Sequence, residues 1–277
     1  MEAETPFQKV ETFHKTFDPR RPEIPTAFTE NEAHTRAAFK IEELVEFVAA
    51  TSPNKEQLHE AVMLLHEALD KAEEKILGKT QWGSDPLVEQ VDALTDILYF
   101  TYGSFSLLGI VPVSYTHLDV YKRAHTRAAF KIEELVEFVA ATSPNKEQLH
   151  EAVMLLHEAL DKAEEKILGK TQWGSDPLVE QVDALTDILY FTYGSFSLLG
   201  IVPDRIFEIV HQANMGKLFP DGKPHYDPVT NKVLKPENWQ MEYAPEPKIA
   251  AEIQRQIQEA IAKKKSADIG MCTNEKE

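Results

Sequence analysis

The 277-residue sequence predicts an all-α fold, a helical bundle of which one part is present twice. Three observations lead there. Apolar residues recur at helical spacing through most of the chain, and no stretch alternates convincingly in the manner of a strand. Residues 33–112 then return without a single difference as residues 124–203, at a constant offset of 91.

Taken in order, an N-terminal arm (1–32) carries Phe7, Val10, Phe13 and Phe17, followed by the proline-broken run from Asp18 to Pro25. A helix over 30–50 follows, with Ala38, Ile41, Leu44, Val45 and Val48 near helical spacing, stopped by Ser52-Pro53. Asn54 suits the N-cap of the next helix, which holds Leu58, Ala61, Val62, Leu65, Leu69, Ala72 and Ile76 before Gly78. Asp85-Pro86 then supplies an N-cap and a first helical position for a helix ending near Gly109. The same three helices are expected over 121–141, 145–168 and 176–200. Asp204 opens another, with Ile206, Phe207, Val210 and Met215. A turn-rich loop spans 219–239, and a weaker amphipathic helix spans 249–265.

The repeat extends over polar positions such as Lys55, Glu56, Lys71 and Glu74, where packing does not demand identity. That points to copying too recent for drift, or made in sequence assembly. The junction 113–123, VSYTHLDVYKR, resembles a translated adapter at a misjoined end. The expected organisation is the arm, a truncated first core (33–112), the junction, a second core with its continuation (124–240), and a linker with tail helix (241–277). Removing the 91 residues 113–203 leaves 186, a sensible single-domain length. The duplicated chain would then form an intrachain pseudo-dimer, and the shorter form a homo-oligomer.

The net charge of −17 argues against nonspecific binding to nucleic acid or to an anionic membrane. The single cysteine, Cys272, gives neither a disulfide framework nor a thiolate zinc site. The uncharged runs after Asp96 and after Asp187 are broken by Thr, Tyr, Ser and Gly, and read as buried helix. With no leader pattern at the start, a cytoplasmic protein is expected.

The acids carry the chemistry. At about 100° per residue, Glu42, Glu43 and Glu46 share one arc beside the stripe of Leu44, Val45 and Val48. Glu89, Asp92 and Asp96 share another, flanked by Val88 and Ile97. Burying like charges requires a compensating cation, and Mg2+ or Mn2+ prefers such oxygen ligands. His59 and His66 lie on a different helix and read as ordinary half-exposed residues. The competing reading is a non-catalytic helical protein whose carboxylates are solvated, or a duplicated product without function.

Glu43-x-x-Glu46 followed two helices later by Glu89-x-x-Asp92 resembles the all-alpha nucleoside triphosphate pyrophosphatase superfamily, which includes MazG, the dimeric dUTPases and the phosphoribosyl-ATP pyrophosphohydrolases. The resemblance implies a four-helix core in which Glu43, Glu46, Glu89 and Asp92 hold magnesium against a nucleotide's phosphates. Their copies are Glu134, Glu137, Glu180 and Asp183. Glu42 or Glu43, and Glu133 or Glu134 in the second copy, would orient or deprotonate the attacking water. The later stretch Ala213-Asn214-Met215-Gly216-Lys217 is similar to the family's helix in which Asn and Lys approach substrate. Asn214 and Lys217 occur in that context once. The second copy, with Glu133, Glu134, Glu137, Glu180 and Asp183, is therefore expected to be the complete site unless the first captures that helix by a swap.

Overall fold

A computed structural model describes residues 4–18, 20–109, 120–228 and 233–274, without side chains over 120–123 and 268–274. Residues 110–119, which include most of the junction, lie outside the described residues, as does the side chain of Cys272. The helices are α1 (Pro6–Phe17), α2 (Glu30–Ala49), α3 (Lys55–Leu77), α4 (Pro86–Leu107), α5 (Val120–Ala140), α6 (Lys146–Leu168), α7 (Pro177–Leu199), α8 (Asp204–Met215), α9 (Trp239–Glu242) and α10 (Glu246–Asn274). Among the described residues there is no strand, only an isolated bridge between Tyr226 and Val233. No single described helix is long and apolar enough to cross a membrane.

Local chemistry sets the boundaries. Thr5 with Gln8 and Thr29 with Glu32 form reciprocal capping boxes that start α1 and α2. Asn54 and Asn145 cap α3 and α6 through their side chains. Asp85 and Asp176 cap α4 and α7, each followed by proline in the first turn. Gly200 ends α7 in the left-handed conformation, φ 75°, which a side chain rarely tolerates. The tail helix is longer than its apolar pattern predicts: Ile249 and Ile253 anchor its start in the core, and residues of good helix propensity carry it on.

The two copies do not fold as separate bundles. Helix α2 of the first copy packs along α6 and α7 of the second, and α5 of the second packs along α3 and α4 of the first. The α3–α6 and α4–α7 pairs close the middle. Each cross-copy contact has a counterpart 91 residues on. Trp82 Nε1 donates to the Ser143 carbonyl at 2.8 Å, and Trp173 Nε1 to that of Ser52 at 3.0 Å. Lys40 and Lys131, 1% and 0% exposed, each donate to a serine hydroxyl of the other copy, Ser195 at 3.0 Å and Ser104 at 2.9 Å. Near the pseudo-twofold axis, His66 stacks on His157 and the hydroxyls of Tyr102 and Tyr193 lie 2.7 Å apart. The chain is an intrachain pseudo-dimer with one continuous core running through both copies. Its halves are exchanged relative to the sequence.

Candidate active site

This exchange builds two acid-lined grooves, each with carboxylates from both copies. In the first groove α5 contributes Glu133, Glu134 and Glu137, while α4 contributes Asp92 and Asp96. The three acids of α5 share one arc of the helix, and the Asp92–Asp96 pair is one turn apart. Burial pushes Asp92 up to about 8, reinforced by Asp96, Glu246 and Glu137. Burial raises Asp96 to about 6, with Lys217 pulling the other way. Burial also drives Glu134 well above the usual carboxylate range, with Asp96 and Glu137 adding to it. Glu137 alone goes down: burial opposes ionisation, but Lys75 and Lys79 outweigh it. The Lys75 ammonium reaches across from α3 to Glu133 and, at 2.9 Å, to Glu137, and Lys79 stands 3.4 Å from Glu137.

The second groove repeats the pattern with Glu42, Glu43 and Glu46 on α2 against Asp183 and Asp187 on α7. Lys166 pairs with Glu42, and Lys170 sits 3.1 Å from Glu46. Burial lifts Glu43 to about 8, helped by Glu46 and Asp187. A cavity of about 270 Å3 opens here, lined by Glu46, Lys170, Trp173, Glu180 and Asp183 among others.

Identical sequence meets different surroundings. Asp92 and Asp96 are half-buried, whereas Asp183 and Asp187 are exposed. The cause is α8, which follows α7 in sequence but packs, together with α10, on α4 of the first copy. Phe207 of α8 lies 5.7 Å from each of the Tyr99 and Tyr102 rings. On α7 the equivalent Tyr190 and Tyr193 meet α1 instead, through Phe13 at 5.6 Å and Phe7 at 6.2 Å. The arm thus takes the place on α7 that α8 takes on α4.

Lys217, just beyond α8, therefore faces the first groove. Its ammonium donates to Asn214 Oδ1 at 2.7 Å, and Asn214 in turn donates to the Val210 carbonyl at 3.1 Å. Burial and Lys235 lower the Lys217 pKa, while Asp96 opposes them. Lys217 and Asn214 stand with Glu133, Glu134 and Glu137 as the sequence suggests, but not with Glu180 and Asp183, which belong to the other groove. The copy holding α8 next in sequence supplies only half of that site.

Two further expectations change. Glu89 accepts from the Gly83 and Ser84 backbone amides, both at 2.8 Å, and Glu180 accepts from Gly174 and Ser175 at 2.7 and 2.9 Å. These carboxylates tie down the turn before their own helix, so the inward arc is carried by the aspartates. Asp96 and Asp187 were visible on that arc at i+4 from Asp92 and Asp183, yet the Glu-x-x-Asp motif passes over them. Lys75, Lys79, Lys166 and Lys170 gave no sequence signal as site residues, because they reach the acids only across the copy boundary. His59 and His66 stay away from both grooves. His59 stands 3.1 Å from Glu164, and the Nδ1 atoms of His66 and His157 lie 2.5 Å apart.

Among the described residues no three His, Cys, Asp or Glu side chains already surround one point as metal ligands would. The donor set nevertheless suits a hard divalent cation: carboxylates crowded together, with burial raising the proton affinity of Asp92, Asp96 and Glu134.

No curated protein matches the chain. Among solved structures it is similar to a proposed NTP pyrophosphohydrolase from Exiguobacterium sp. 255-15, at 38% identity, covering 58% of this chain and 96% of that one with a TM-score of 0.49. The family model of phosphoribosyl-ATP pyrophosphohydrolase matches twice, over residues 10–117 and 111–214, once for each copy of the acid-bearing core. An all-α fold, a duplicated core and two matches that span most of the chain place it in the phosphoribosyl-ATP pyrophosphohydrolase family.

Proposed function

We propose that the chain hydrolyses a nucleoside triphosphate, or a related nucleotide, to the monophosphate and pyrophosphate in a magnesium-dependent reaction, and that the first groove performs it. The observation that carries this reading is the convergence of Glu134, Glu137, Asp92 and Asp96 from two copies beside Lys217. Those four acids would hold the cation, with Mn2+ as a substitute. Glu43, Glu46, Asp183 and Asp187 are the equivalent set in the second groove. When bound, the cation neutralises phosphate charge and lowers the pKa of a coordinated water.

The chain's own residues supply the rest. Water adds to phosphorus as the bond from the α-phosphorus to the bridging oxygen breaks, pyrophosphate leaves with that oxygen, and the water proton passes to a carboxylate. Glu134 suits that role better than Glu133, because burial and the neighbouring Asp96 raise the proton affinity of its carboxyl, whereas Glu133 lies towards the lysine at the rim. Glu43 is favoured over Glu42 on the same ground. Lys217 would turn from Asn214 to a phosphate oxygen, with Asn214 positioning it. Glu89 and Glu180 act indirectly, by fixing the turns that start the aspartate helices.

Pyrophosphate release is to be measured over a panel of common and modified nucleoside triphosphates, with and without Mg2+. Release that requires the metal and falls by 10²-fold or more in Glu134→Gln, as loss of a general base typically produces, is the expected result. Silence across the panel overturns the reading.

A further inference from the structure

The acid clusters are not left to solvent. In each groove the last turn of the long middle helix and the second residue beyond it present two lysines to the glutamates of the other copy. Lys75 bridges Glu133 and Glu137, with Lys79 beside Glu137. Lys166 reaches Glu42 and lies 3.7 Å from Glu46, with Lys170 at 3.1 Å from Glu46. The two grooves differ in their cover, yet they make the same ion pairs.

These lysines occupy carboxylate oxygens that a metal needs. Glu137 has both Lys75 and Lys79 against it, and Glu46 both Lys166 and Lys170. All four lysines are exposed, on four-carbon stems that are free to swing. A divalent cation entering the cluster must release them, and the released ammoniums remain at the rim of the same groove. A nucleotide's polyphosphate brings negative charge to that rim.

We propose that Lys75 with Lys79, and Lys166 with Lys170, are exchangeable counter-cations: they hold the glutamates until a divalent metal displaces them, and then bind the polyphosphate that the metal receives. This rests on the metal-dependent reading above. It adds a role for residues outside both acid motifs, and it couples the two binding steps. Metal binding frees the phosphate ligands, so polyphosphate binds the metal-loaded protein with an affinity that the lysines set.

The test uses the full chain and two probes, Mn2+ followed by its resonance signal and pyrophosphate followed by calorimetry at saturating Mn2+. In the double variant Lys75→Ala with Lys166→Ala, Mn2+ binds about fivefold tighter, since a competing ion pair worth roughly 1 kcal/mol is gone. Pyrophosphate binds about fivefold weaker for the same reason of scale. The charge-matched control, Lys71→Ala with Lys162→Ala, removes two solvated lysines paired within their own helices and leaves both affinities in place. Lys75→Arg with Lys166→Arg keeps pyrophosphate binding. An unchanged or weaker Mn2+ affinity in the Ala variant, an unchanged pyrophosphate affinity, or an equal shift in the control overturns the proposal. Triphosphate hydrolysis by the unaltered chain is read separately, so failure of the lysine exchange and failure of the hydrolytic reading are told apart.

Discussion

Asp92 and Asp183 sit in identical stretches of sequence, and only Asp92 is covered by α8 and α10. Its proton affinity is therefore a product of the fold, and it fixes the sign of a pH effect. A carboxyl whose folded pKa is raised stabilises the fold fully below its unfolded value near 4, and that contribution is lost as pH rises to about 8. Lys131, which burial lowers to about 7, works the opposite way: stability is regained between pH 7 and the ordinary lysine value near 10.4. Metal-free protein is accordingly expected to lose stability from pH 5 towards 8 and to recover above it. Urea unfolding across that range checks this, with Asp92→Asn flattening the acid side and Lys131→Met the basic side. Because protons compete for the same oxygens, Mg2+ should also raise the melting temperature more at pH 8 than at pH 6. An equal rise at both would place the metal away from Asp92 and Asp96.

At the scale of the element, α1 and α8 cover equivalent tyrosine pairs with different consequences. Phe7 is buried and anchors α1 on Tyr193, so Phe7→Ala should cost about 3–5 kcal/mol in urea unfolding. It should leave pyrophosphate release in the first groove unchanged. Phe207→Ala loosens α8, and with it Lys217, so its activity is expected to fall more than its stability. The reverse pattern would assign the chemistry to the α1 side. The helices of the repeated core were legible: caps at Asn54, Asp85 and Asp176 and the apolar stripes put their ends within a few residues, whereas the tail helix runs past its pattern. Their partners were not. A repeated sequence has the same apolar faces whether it closes on itself or on its copy, and no residue in α2 says that it will meet α7 rather than α4. The Glu arc of α2 and α5 could be read from periodicity alone, but the choice of Asp96 over Glu89 depended on a turn geometry that consumes the Glu89 carboxylate.

At the scale of the whole molecule, the pseudo-twofold arrangement explains how a chain with an identical repeat can still bury its apolar surface. The 186-residue form lacking residues 113–203 holds every helix of one unit once, and two such chains can rebuild both grooves, each with its own copy of α8. That form is expected to be the natural gene product and to sediment as a homodimer, with about two competent sites where the 277-residue chain has one. Doubled activity per mole of dimer, against a mole of the 277-residue chain, is the outcome to look for. One uninterrupted long read of the source DNA holding both copies and the codons between Phe105 and Phe130 would show instead that the duplicated gene is genuine.

The central claim is that each site takes its glutamates from one copy and its aspartates from the other. Two double variants test it most directly, because the two possible pairings predict opposite results for them. Glu43→Gln with Asp187→Asn removes both partners of the second groove and leaves the first, with Lys217, intact. Glu43→Gln with Asp96→Asn removes one acid from each groove, although both residues belong to the first copy. Magnesium-dependent pyrophosphate release should survive the first double change nearly whole and fall by about 10²-fold or more in the second, because Asp96 is one of the acids that would hold the cation. Loss of release in the first variant and survival in the second would mean that each copy assembles its own site, and would contradict the exchanged arrangement.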